Sequence, residues 1–422
     1  MSLSMDVTTD PRPLAGAAEA YAFDGAHVRR TIVDRDGNRH VTRVLAPPGV
    51  GEAPFTAFSQ GWLARAVRPP RDETARPLTS VDLFAGCGGL SLGLEAAAEA
   101  IGRRLESILA VDTDVDALTV FERNFSPSAL FDGDVTRLVD GGLGEAPSFA
   151  ERRLRDEFDG VDFVIGGPPC QGHSDLNNHT RRRDPKNALY LRVARFAEIV
   201  RPRFVLVENV PGVAHDRRGV VPAATQALAR AGYFVSSGVI RADRVGAAQT
   251  RRRHLLLASR DSMIDIDAVS GQFTEAALTV DQALHDVPVA STGIFDTSSN
   301  HSAENRRRIN YLFDHGLWDL PDAERPDCHR LRKHSYKAVY GRMRGDQPAP
   351  TITRGFGSTG QGRFVHPHER RTLTPHEAAR IQGFPDYFDF SSCNRRVSLH
   401  SMIGNAVPSR LAYAAFMTLL LS

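Results

Sequence analysis

The stretch VDFVIGGPPCQGHS, residues 161–174, decides how the rest of the chain is interpreted. Its hydrophobic run from Val161 to Ile165, interrupted only by Asp162, is typical of a buried parallel strand. Two glycines and two prolines then predict an abrupt, stiff turn, which places Cys170 just past the carboxyl end of the strand. Because ligands of open α/β sheets bind at that edge, we interpret Cys170 as a nucleophile rather than as a small buried cysteine.

A second predicted strand brings a carboxylate to the same edge. RFVLVENV, residues 203–210, has the pattern of a buried strand and ends in Glu208 and Asn209. A thiol is mostly protonated at neutral pH, since its free pKa is about 8.5, so a nucleophilic cysteine needs help from its surroundings. If the two strands are close in one sheet, Cys170 and Glu208 face the same crevice.

The composition is that of an ordinary globular protein. The chain has 422 residues, of which 41% are hydrophobic and 24% charged, and this length allows two or three domains. No apolar run approaches the ~18 residues of a membrane span, and no secretory signal is visible, so we expect a cytoplasmic protein. The four cysteines are widely spaced without a CxxC pair, which argues against a disulfide framework or a zinc site.

Positive charge is concentrated in one part of the chain. The net charge of +2 is too small to indicate a nucleic acid partner by itself. Between Arg330 and Arg371, however, ten Lys or Arg residues stand against two acids, Asp346 and Glu369. The base composition of a GC-rich genome explains most of the preference for arginine over lysine, but it does not explain this clustering.

Three successive strand ends suggest an adenosine-type ligand. TSVDLFAGCGGLSLGLEAAAEA, residues 79–100, predicts a strand, a glycine-rich turn against which a ligand can lie, and a helix. The next strand, 107–111, ends on Asp112, which suits ribose hydroxyls, although a helix N-cap is an equally good interpretation of this residue alone. Asp134 ends the next short strand. The three ends together fit such a ligand better than any one of them does.

The middle of the chain continues the alternation of helices and strands. Helices are predicted at 187–202 and near 220–231, and strands near 233–242 and 254–259. In the intervening segment Arg251 and Arg253 alternate, so they project to one side and Arg252 to the other. A solvated run of charges is the alternative for these arginines. The pattern as a whole predicts an α/β fold with a doubly wound sheet.

The remaining segments differ from this core. Residues 1–78 show little periodicity apart from a hairpin at 28–45, so an accessory extension is the default interpretation. From about 262 to 371 the strands become irregular, which predicts a second domain. Order then returns, because Thr374 is predicted to cap a helix through a capping box. The last segment, SLHSMIGNAVPSRLAYAAFMTLLL, predicts a turn followed by an amphipathic helix.

Several short blocks resemble, in order, the motifs of the DNA (cytosine-5) methyltransferase family. They are DLFAGCGG (82–89), the acid Asp112, GDV (133–135), GGPPCQGHS (166–174), ENV (208–210), QTRRR (249–253), RTLTPHEAARIQGFP (371–385) and GNAVP (404–408). Each block is a weak signal, but the ordered set is highly specific. One departure is His173, where many members carry phenylalanine; it leaves the chemistry intact and the packing of that loop open.

The resemblance implies a Rossmann-like, doubly wound, mostly parallel sheet of the S-adenosylmethionine-dependent methyltransferase type, with a smaller, irregular target-recognition domain. It divides the chain into an accessory extension (1–78), a catalytic domain (79–261), a target-recognition domain (262–371) and a segment that returns to the catalytic domain (372–422). In this family the chain end folds back beside the first strand, so GNAVP is expected to line the cofactor site.

The resemblance also implies a mechanism. Cys170 would add to carbon 6 of a flipped cytosine, which makes carbon 5 enamine-like and able to take a methyl group from S-adenosyl-L-methionine. Glu208 would hold the pyrimidine ring, and Arg251 and Arg253 correspond to the arginines near the flipped base and its phosphate. No metal is expected. The base that removes the carbon 5 proton is left open.

Two further sets of residues follow from the resemblance. Those expected to hold the cofactor are Phe84, Ala85, Gly86, Gly88, Gly89, Asp112, Thr113, Asp134, Val135, Pro169, Leu189, Asn405 and Val407. Those expected to contact DNA are Ser174, Arg181, Arg182, Arg183, Arg342, Arg344, Thr351, Arg354 and Arg363. We expect the polar residues 171–187 to form a mobile loop that closes over the DNA.

The expected partner is double-stranded DNA, bound by a monomeric, nucleoid-associated bacterial enzyme; whether a restriction or defence system accompanies it is left open. The alternatives are an RNA-directed (tRNA) member of the family, a catalytically silent DNA-binding relative, and a generic Rossmann oxidoreductase. A recognition region of about 110 residues favours DNA over RNA. Cys170 together with Glu208 argues against a silent relative, and an oxidoreductase has no role for GGPPCQG with ENV.

Overall fold

The computed structural model describes residues 18–48, 53–169, 188–288, 292–330 and 338–422. The strands in these ranges are β1 (Glu19–Asp24), β2 (His27–Val33), β3 (Arg39–Leu45), β4 (Pro77–Leu83), β5 (Arg104–Asp112), β6 (Ala129–Asp132), β7 (Phe163–Gly166), β8 (Phe204–Asn209), β9 (Phe234–Arg241) and β10 (Arg252–Ser259). The helices are α1 (Pro54–Leu63), α2 (Gly89–Ala100), α3 (Val115–Phe125), α4 (Phe149–Glu157), α5 (Leu189–Val200), α6 (Val220–Arg230), α7 (Ala268–Gly271), α8 (Val280–Ala283), α9 (Ala303–Asp314), α10 (Asp327–Arg330), α11 (Pro375–Ile381), α12 (Arg396–Asn405) and α13 (Ser409–Leu421). None of the helices in these ranges has the length and apolar character needed to cross a membrane.

A seven-stranded sheet in the order β6-β5-β4-β7-β8-β10-β9 forms the centre of the fold. Strands β4 to β8 pair in parallel, and β10 runs antiparallel between β8 and β9. The strand order reverses between β4 and β7, so the carboxyl ends of these two strands flank the crevice in which α/β sheets bind ligands. The expected doubly wound, mostly parallel sheet is confirmed.

Helices cover both faces of this sheet because its central strands are apolar on both sides. All residues of β7 and β8 are buried. One face packs against α5 and α6, and the other packs against α2, α3 and α13. Each face therefore has its own hydrophobic core, and the carboxyl edge of the sheet is held rigidly between them.

The C-terminal segment corrects two details of the sequence analysis. The stretch before GNAVP is the helix α12 and not a turn. The prediction that α13 is amphipathic is also wrong, since ten of its 13 residues are buried. This helix packs against α2, α7 and β10, so it has almost no solvent-facing side. Its approach to α2 depends on Gly93, where a Cβ would lie 2.3 Å from the Cβ of Ala412.

The N-terminal extension folds as a small sheet that docks on the catalytic part. The predicted hairpin is confirmed as β2 and β3, and β1, which was not predicted, completes a three-stranded antiparallel sheet covered by α1. Glu19 of β1 is buried and forms an ion pair with Arg410 of α13, and the Tyr413 hydroxyl donates to the same carboxylate at 2.9 Å. The extension is thus attached through a buried charge.

Between β10 and α11 the described chain has short helices and isolated bridges instead of a continuous sheet. Part of this region has its own small core, formed by Ile309, Leu312, Leu320, Val339, Tyr340 and Val365. The capping box at Thr374 and Glu377 is confirmed at the start of α11. The irregular character matches the sequence analysis; the domain boundaries stay predictions.

Candidate active site

The residues that follow β7 and the Glu208 carboxylate are neighbours at the carboxyl edge of the sheet. Strands β7 and β8 are paired in parallel, with Gly166 opposite Val207. Glu208 therefore lies beside the turn, and its Oε2 would be 3.3 Å from a Cβ built on Gly167. The next side chain, Asn209, donates from Nδ2 to the Pro168 carbonyl at 3.2 Å. The expectation that the two strands lie close in one sheet is confirmed.

Glu208 forms an ion pair with Arg253. Strand β10 runs antiparallel beside β8 with Leu255 opposite Glu208, so Arg253, two residues before Leu255, projects on the same side of the sheet as Glu208. Both residues are buried, Glu208 at 7% and Arg253 at 9% exposure. A buried charge pair of this kind depends on mutual neutralisation, because either partner alone would be left uncompensated. Together the two side chains can present two groups to a substrate. The carboxyl group can donate or accept a proton, and the guanidinium is a cationic hydrogen-bond donor.

Arg251 lies in the same extended segment but has other partners. It is 3% exposed, and its Nη1 donates to the carbonyls of Ile352 at 2.5 Å and Gly404 at 3.2 Å, while Nη2 donates to the Asn405 carbonyl at 3.4 Å. Arg252 is exposed on the opposite side. The alternation predicted from the sequence is confirmed, but Arg251 binds backbone carbonyls, whereas Arg253 binds Glu208.

Some predicted residues lie outside the described ranges. These are Cys170, the predicted nucleophile, and four residues that were predicted to contact DNA, Ser174, Arg181, Arg182 and Arg183. Pro169 is the last described residue before this segment, and Leu189, at the start of α5, is half-buried just after it. The two ends of the segment therefore lie at the same edge of the sheet as Glu208.

Asp112 organises the glycine-rich turn at the neighbouring strand end. Its Oδ2 accepts from the Gly86 amide at 2.8 Å, and its Oδ1 accepts from the amides of Thr113 and Asp114 at 2.7 and 2.9 Å. Burial raises the pKa of Asp112 above its usual range, although these three amide hydrogen bonds act in the opposite direction. The carboxylate thus connects the ends of β4 and β5.

The glycine-rich turn itself has an unusual backbone. Phe84 has φ of 67°, a left-handed conformation that side chains other than glycine rarely adopt, and Gly86 and Gly88 have φ of 53° and 96°. Such strain is typical of functional sites. A Cβ built on Gly86 would meet no atom within 4 Å, so the turn leaves open space beside Asp112. A carboxylate, a half-buried aromatic ring and open backbone fit an adenosyl group.

Two further segments lie at the same edge of the sheet, the end of β6 and the GNAVP segment. Asp134 is exposed and caps a short 3₁₀ turn through the Thr136 amide, while Val135 is buried. GNAVP lies directly against the glycine-rich turn, because a Cβ on Gly89 would be 3.0 Å from the Val407 carbonyl oxygen. Asn405 is exposed at the same place. The expectation that the chain end folds back beside the strand predicted within residues 79–100, which is β4, is confirmed.

The residues predicted to contact DNA fall into two groups. Arg342 and Arg363 are bound within the protein: Arg342 donates to the Pro367 carbonyl and lies over the rings of Phe313 and Trp318, and Arg363 pairs with Asp319. Arg344 and Arg354 are exposed, and Thr351 is half-buried. The exposed arginines are therefore the better placed of the four for contact with a partner.

Sequence reasoning missed a buried pair of amides behind the site. Gln249 donates from Nε2 to Gln382 Oε1 at 2.7 Å, and Gln382 donates onward to the carbonyls of Ile403 at 2.6 Å and Ala406 at 3.2 Å. Both glutamines are fully buried. The only signal in the sequence was their presence inside the blocks QTRRR and RIQGFP, because a buried amide cannot be distinguished from an exposed one by pattern alone.

One group of potential metal ligands occurs in the described part of the chain, formed by His366, Glu369 and Glu377. Arg371 donates to both carboxylates, so these acids already have a cationic partner. The arrangement is that of a salt-bridge network rather than of an open cation site.

Comparisons with known proteins show the family of the chain. A family model for C-5 cytosine-specific DNA methylases matches residues 78–420. Type II methyltransferase M1.BsuMI of Bacillus subtilis (strain 168) is 45% identical over 400 residues, which cover 94% of this chain and 93% of that protein. Type II methyltransferase M1.HphI of Haemophilus parahaemolyticus is 30% identical over 347 residues, covering 80% of this chain and 85% of that protein.

Solved structures show the same fold at low identity. The S. pombe Dnmt2 methyltransferase aligns with a TM-score of 0.56 at 18% identity, covering 82% of this chain and 98% of that one. Entamoeba histolytica methyltransferase EhMeth aligns with a TM-score of 0.56 at 15% identity and the same coverage. At such identity these structures speak to the fold alone.

Proposed function

The chain belongs to the C-5 cytosine-specific DNA methylase family and is a DNA (cytosine-5) methyltransferase, and on that premise we propose that Cys170, Glu208 and Arg253 carry out its chemistry. The observation that carries this proposal is the buried Glu208–Arg253 ion pair beside the Gly167 turn. Cys170 follows Gly167 by three residues in sequence, and in the proposed binding mode the base presents its ring nitrogen and oxygen to this ion pair.

The reaction needs activation of cytosine carbon 5, which does not attack a methyl sulfonium unaided. In the proposed mechanism the Cys170 thiolate forms a bond to carbon 6, and the displaced electron pair moves into the ring toward nitrogen 3. Glu208 holds or delivers a proton at nitrogen 3, and Arg253 donates toward the ring oxygen, so the developing charge is stabilised. Carbon 5 then takes the methyl group. Loss of its proton returns the electron pair that expels the thiolate.

S-adenosyl-L-methionine, the methyl donor of this family, supplies an electrophilic methyl group when it is bound. We assign its adenosyl part to the edge built by Phe84, Asp112 and Asp134, because that edge combines an aromatic ring, a carboxylate and open backbone at Gly86. Asn405 and Val407 would meet its methionine end, since GNAVP packs on Gly89. Pro169 and Leu189 would close the pocket from the catalytic side.

Double-stranded DNA is the proposed substrate. Because the target atoms are hidden in a duplex, the base must flip out, at a cost of a few kcal/mol that contacts to the protein repay. We assign these contacts to residues 171–187 and to the exposed arginines Arg344 and Arg354, with Thr351 near the recognised bases. Phosphate contacts make the affinity depend strongly on salt.

The biological setting follows the relatives. The two bacterial relatives are type II methyltransferases, and we propose that this enzyme also modifies DNA within a restriction-modification system. We propose further that it acts as a monomer on chromosomal DNA. Bisulfite sequencing of DNA from cells that express the chain identifies the methylated sequence. If the native host cleaves unmethylated DNA that carries this sequence, a restriction enzyme accompanies the methyltransferase.

The test of the proposed function is methyl transfer from labelled S-adenosyl-L-methionine to separate duplex DNA and RNA substrates. We expect label on cytosine carbon 5 of DNA and none on RNA. Glu208→Gln should slow DNA methylation by about 10²–10⁴-fold, as expected for a lost acid–base group, while cofactor binding is unchanged. Arg252→Gln, an exposed neighbour, is the control. A Glu208→Gln enzyme with the wild-type rate would exclude the carboxylate from the chemistry.

A further inference from the structure

Arg251 lies where the target-recognition region meets the end of the chain. Its guanidinium is buried and donates to the carbonyls of Ile352, Gly404 and Asn405. The first carbonyl belongs to the region predicted to read DNA, and the other two belong to the segment predicted to hold the cofactor. One side chain thus binds two segments that are about fifty residues apart in sequence and serve different ligands.

The two segments are also in direct backbone contact. A Cβ on Gly404 would lie 2.2 Å from the Arg354 amide nitrogen, so glycine is required for this close approach. The Thr250 amide donates to the Ala349 carbonyl at 2.8 Å, and Ala349 donates back to the Ala248 carbonyl at 2.8 Å. The recognition segment 349–354 therefore lies between residues 248–251 on one side and residues 404–405 on the other.

From this junction, contacts lead to both parts of the active site. On one side, residues 406–407 pack against Gly89 of the glycine-rich turn. On the other side, Arg253 follows Arg251 by two residues in the same extended segment and binds Glu208. A shift of the recognition segment would therefore act on the cofactor turn and on the catalytic carboxylate through Arg251.

We propose that Arg251 is a positioning residue that couples target DNA binding to cofactor binding by holding the recognition segment 349–354 and the segment 404–407 together. The proposal rests on the proposed function. Its physical basis is that a buried guanidinium which loses one carbonyl is left with an unsatisfied charged donor, so the two segments move as one unit. The resemblance to the family predicted that this arginine lies near the flipped base. In the structure its guanidinium donates hydrogen bonds to backbone carbonyls.

The experiment measures how much target DNA tightens binding of S-adenosylhomocysteine, a non-reactive cofactor product. Calorimetry is performed with no DNA, with a duplex carrying the methylated sequence and with a duplex of equal composition lacking it. Coupling factors between two sites are typically about 5–150-fold. The wild-type enzyme should show a factor in that range for the target duplex, and Arg251→Met should reduce it to within about twofold of unity.

Three controls make the result specific. Arg252→Met, the exposed neighbour, should keep the wild-type factor, and Arg251→Lys, which retains a charge and fewer donors, should give an intermediate one. The affinities of Arg251→Met for each ligand alone should stay within about threefold of the wild-type values, which a misfolded protein would not show. If Arg251→Met does not fold, the coupling factor of Arg251→Lys tests the proposal instead. A variant of Arg251 with the full wild-type factor, or a wild-type factor of one, overturns the proposal.

The proposal and the proposed function fail separately. Absence of methyl transfer by the wild-type enzyme refutes the proposed function. Normal methyl transfer with undiminished coupling in the Arg251 variants refutes only the role of Arg251. A positioning role also predicts that Arg251→Lys raises the KM for both substrates more than it lowers kcat. If Arg251 instead contacted the reacting base, the substitution would mainly lower kcat at saturation.

Discussion

At the residue scale, the central feature is a pair of opposite charges at the end of an apolar sheet. Glu208 and Arg253 form an ion pair, and their side chains are only 10% and 11% exposed. Replacing one partner of such a pair typically costs about 3–5 kcal/mol, because an uncompensated buried charge remains. The strand register that keeps the two side chains on one side of the sheet therefore matters for stability, and under the proposed function it matters for catalysis too.

Asp112 is the second residue with a measurable role. Because its carboxylate holds the Gly86 amide and lies beside the open turn, Asp112→Ala should weaken S-adenosyl-L-methionine binding by about 1.5–3 kcal/mol, the magnitude of a hydrogen bond to a charged group. DNA affinity should be nearly unchanged. Calorimetry checks both values, with Asp132→Ala as the control because Asp132 is exposed at the paired position of β6. Unchanged cofactor affinity would remove Asp112 from the site.

At the element scale, α11 is attached to the preceding region by His376. Its Nδ1 lies 2.8 Å from Asp296 Oδ1, its Nε2 lies 2.9 Å from Asp386 Oδ1, and its ring stacks on Phe295. Burial alone would lower the pKa of His376, but the hydrogen bonds and charges of the two carboxylates outweigh burial and raise it above 6.5. The imidazolium is therefore an ionic link between two elements.

This link predicts a pH dependence of stability. Since the folded-state pKa is raised, the stabilisation is fully present below pH 6.5 and is lost as the pH rises through the folded-state pKa. His376→Gln should therefore reduce the loss of stability that the wild-type protein shows as the pH rises above 6.5. Urea unfolding at several pH values measures this, with His315→Gln as the exposed control. Parallel pH profiles for wild type and His376→Gln would refute the link.

Elements with strong local signals could be predicted from the sequence, and contacts between distant segments could not. The end of β7 at Gly166, the position of Asp112 and the capping box of α11 follow from residue types at fixed spacing. The burial of α13 did not follow, because it depends on α2, α7 and β10, which lie far away in sequence. The partners of Arg251 escaped prediction for the same reason, since alternation shows direction but not what is contacted.

At the scale of the whole molecule, the extension and the C-terminal helix are connected by buried charge. Glu19 receives donors from Arg410 and Tyr413, while Arg30 lies over the Tyr413 ring at 5.0 Å. The family match begins at residue 78, yet this docking makes residues 18–48 and 53–63 part of the same structural unit as α13.

Breaking this connection should destabilise the whole protein. Glu19→Gln removes the buried carboxylate that pairs with Arg410 and lies near the buried Arg30, so we expect a loss of about 3–5 kcal/mol in the free energy of unfolding. Asp24→Asn, which removes the exposed pair with Arg43 in the same sheet, should cost less than about 1 kcal/mol. Denaturant unfolding compares the two. Equal and small losses would mean that the extension is only loosely attached.

The most direct measurement is the identification of the residue that becomes covalently linked to the substrate. Duplex DNA in which 5-fluorocytosine replaces cytosine is incubated with the enzyme and S-adenosyl-L-methionine, and the adduct is mapped by mass spectrometry. Fluorine cannot leave as a cation, so the reaction should stall after methyl transfer with Cys170 bonded to carbon 6. Cys170→Ser should form no adduct and no product while still binding DNA, since phosphate contacts supply much of the affinity. An adduct on another residue, or a Cys170→Ser protein that methylates at a near-normal rate, would contradict the mechanism.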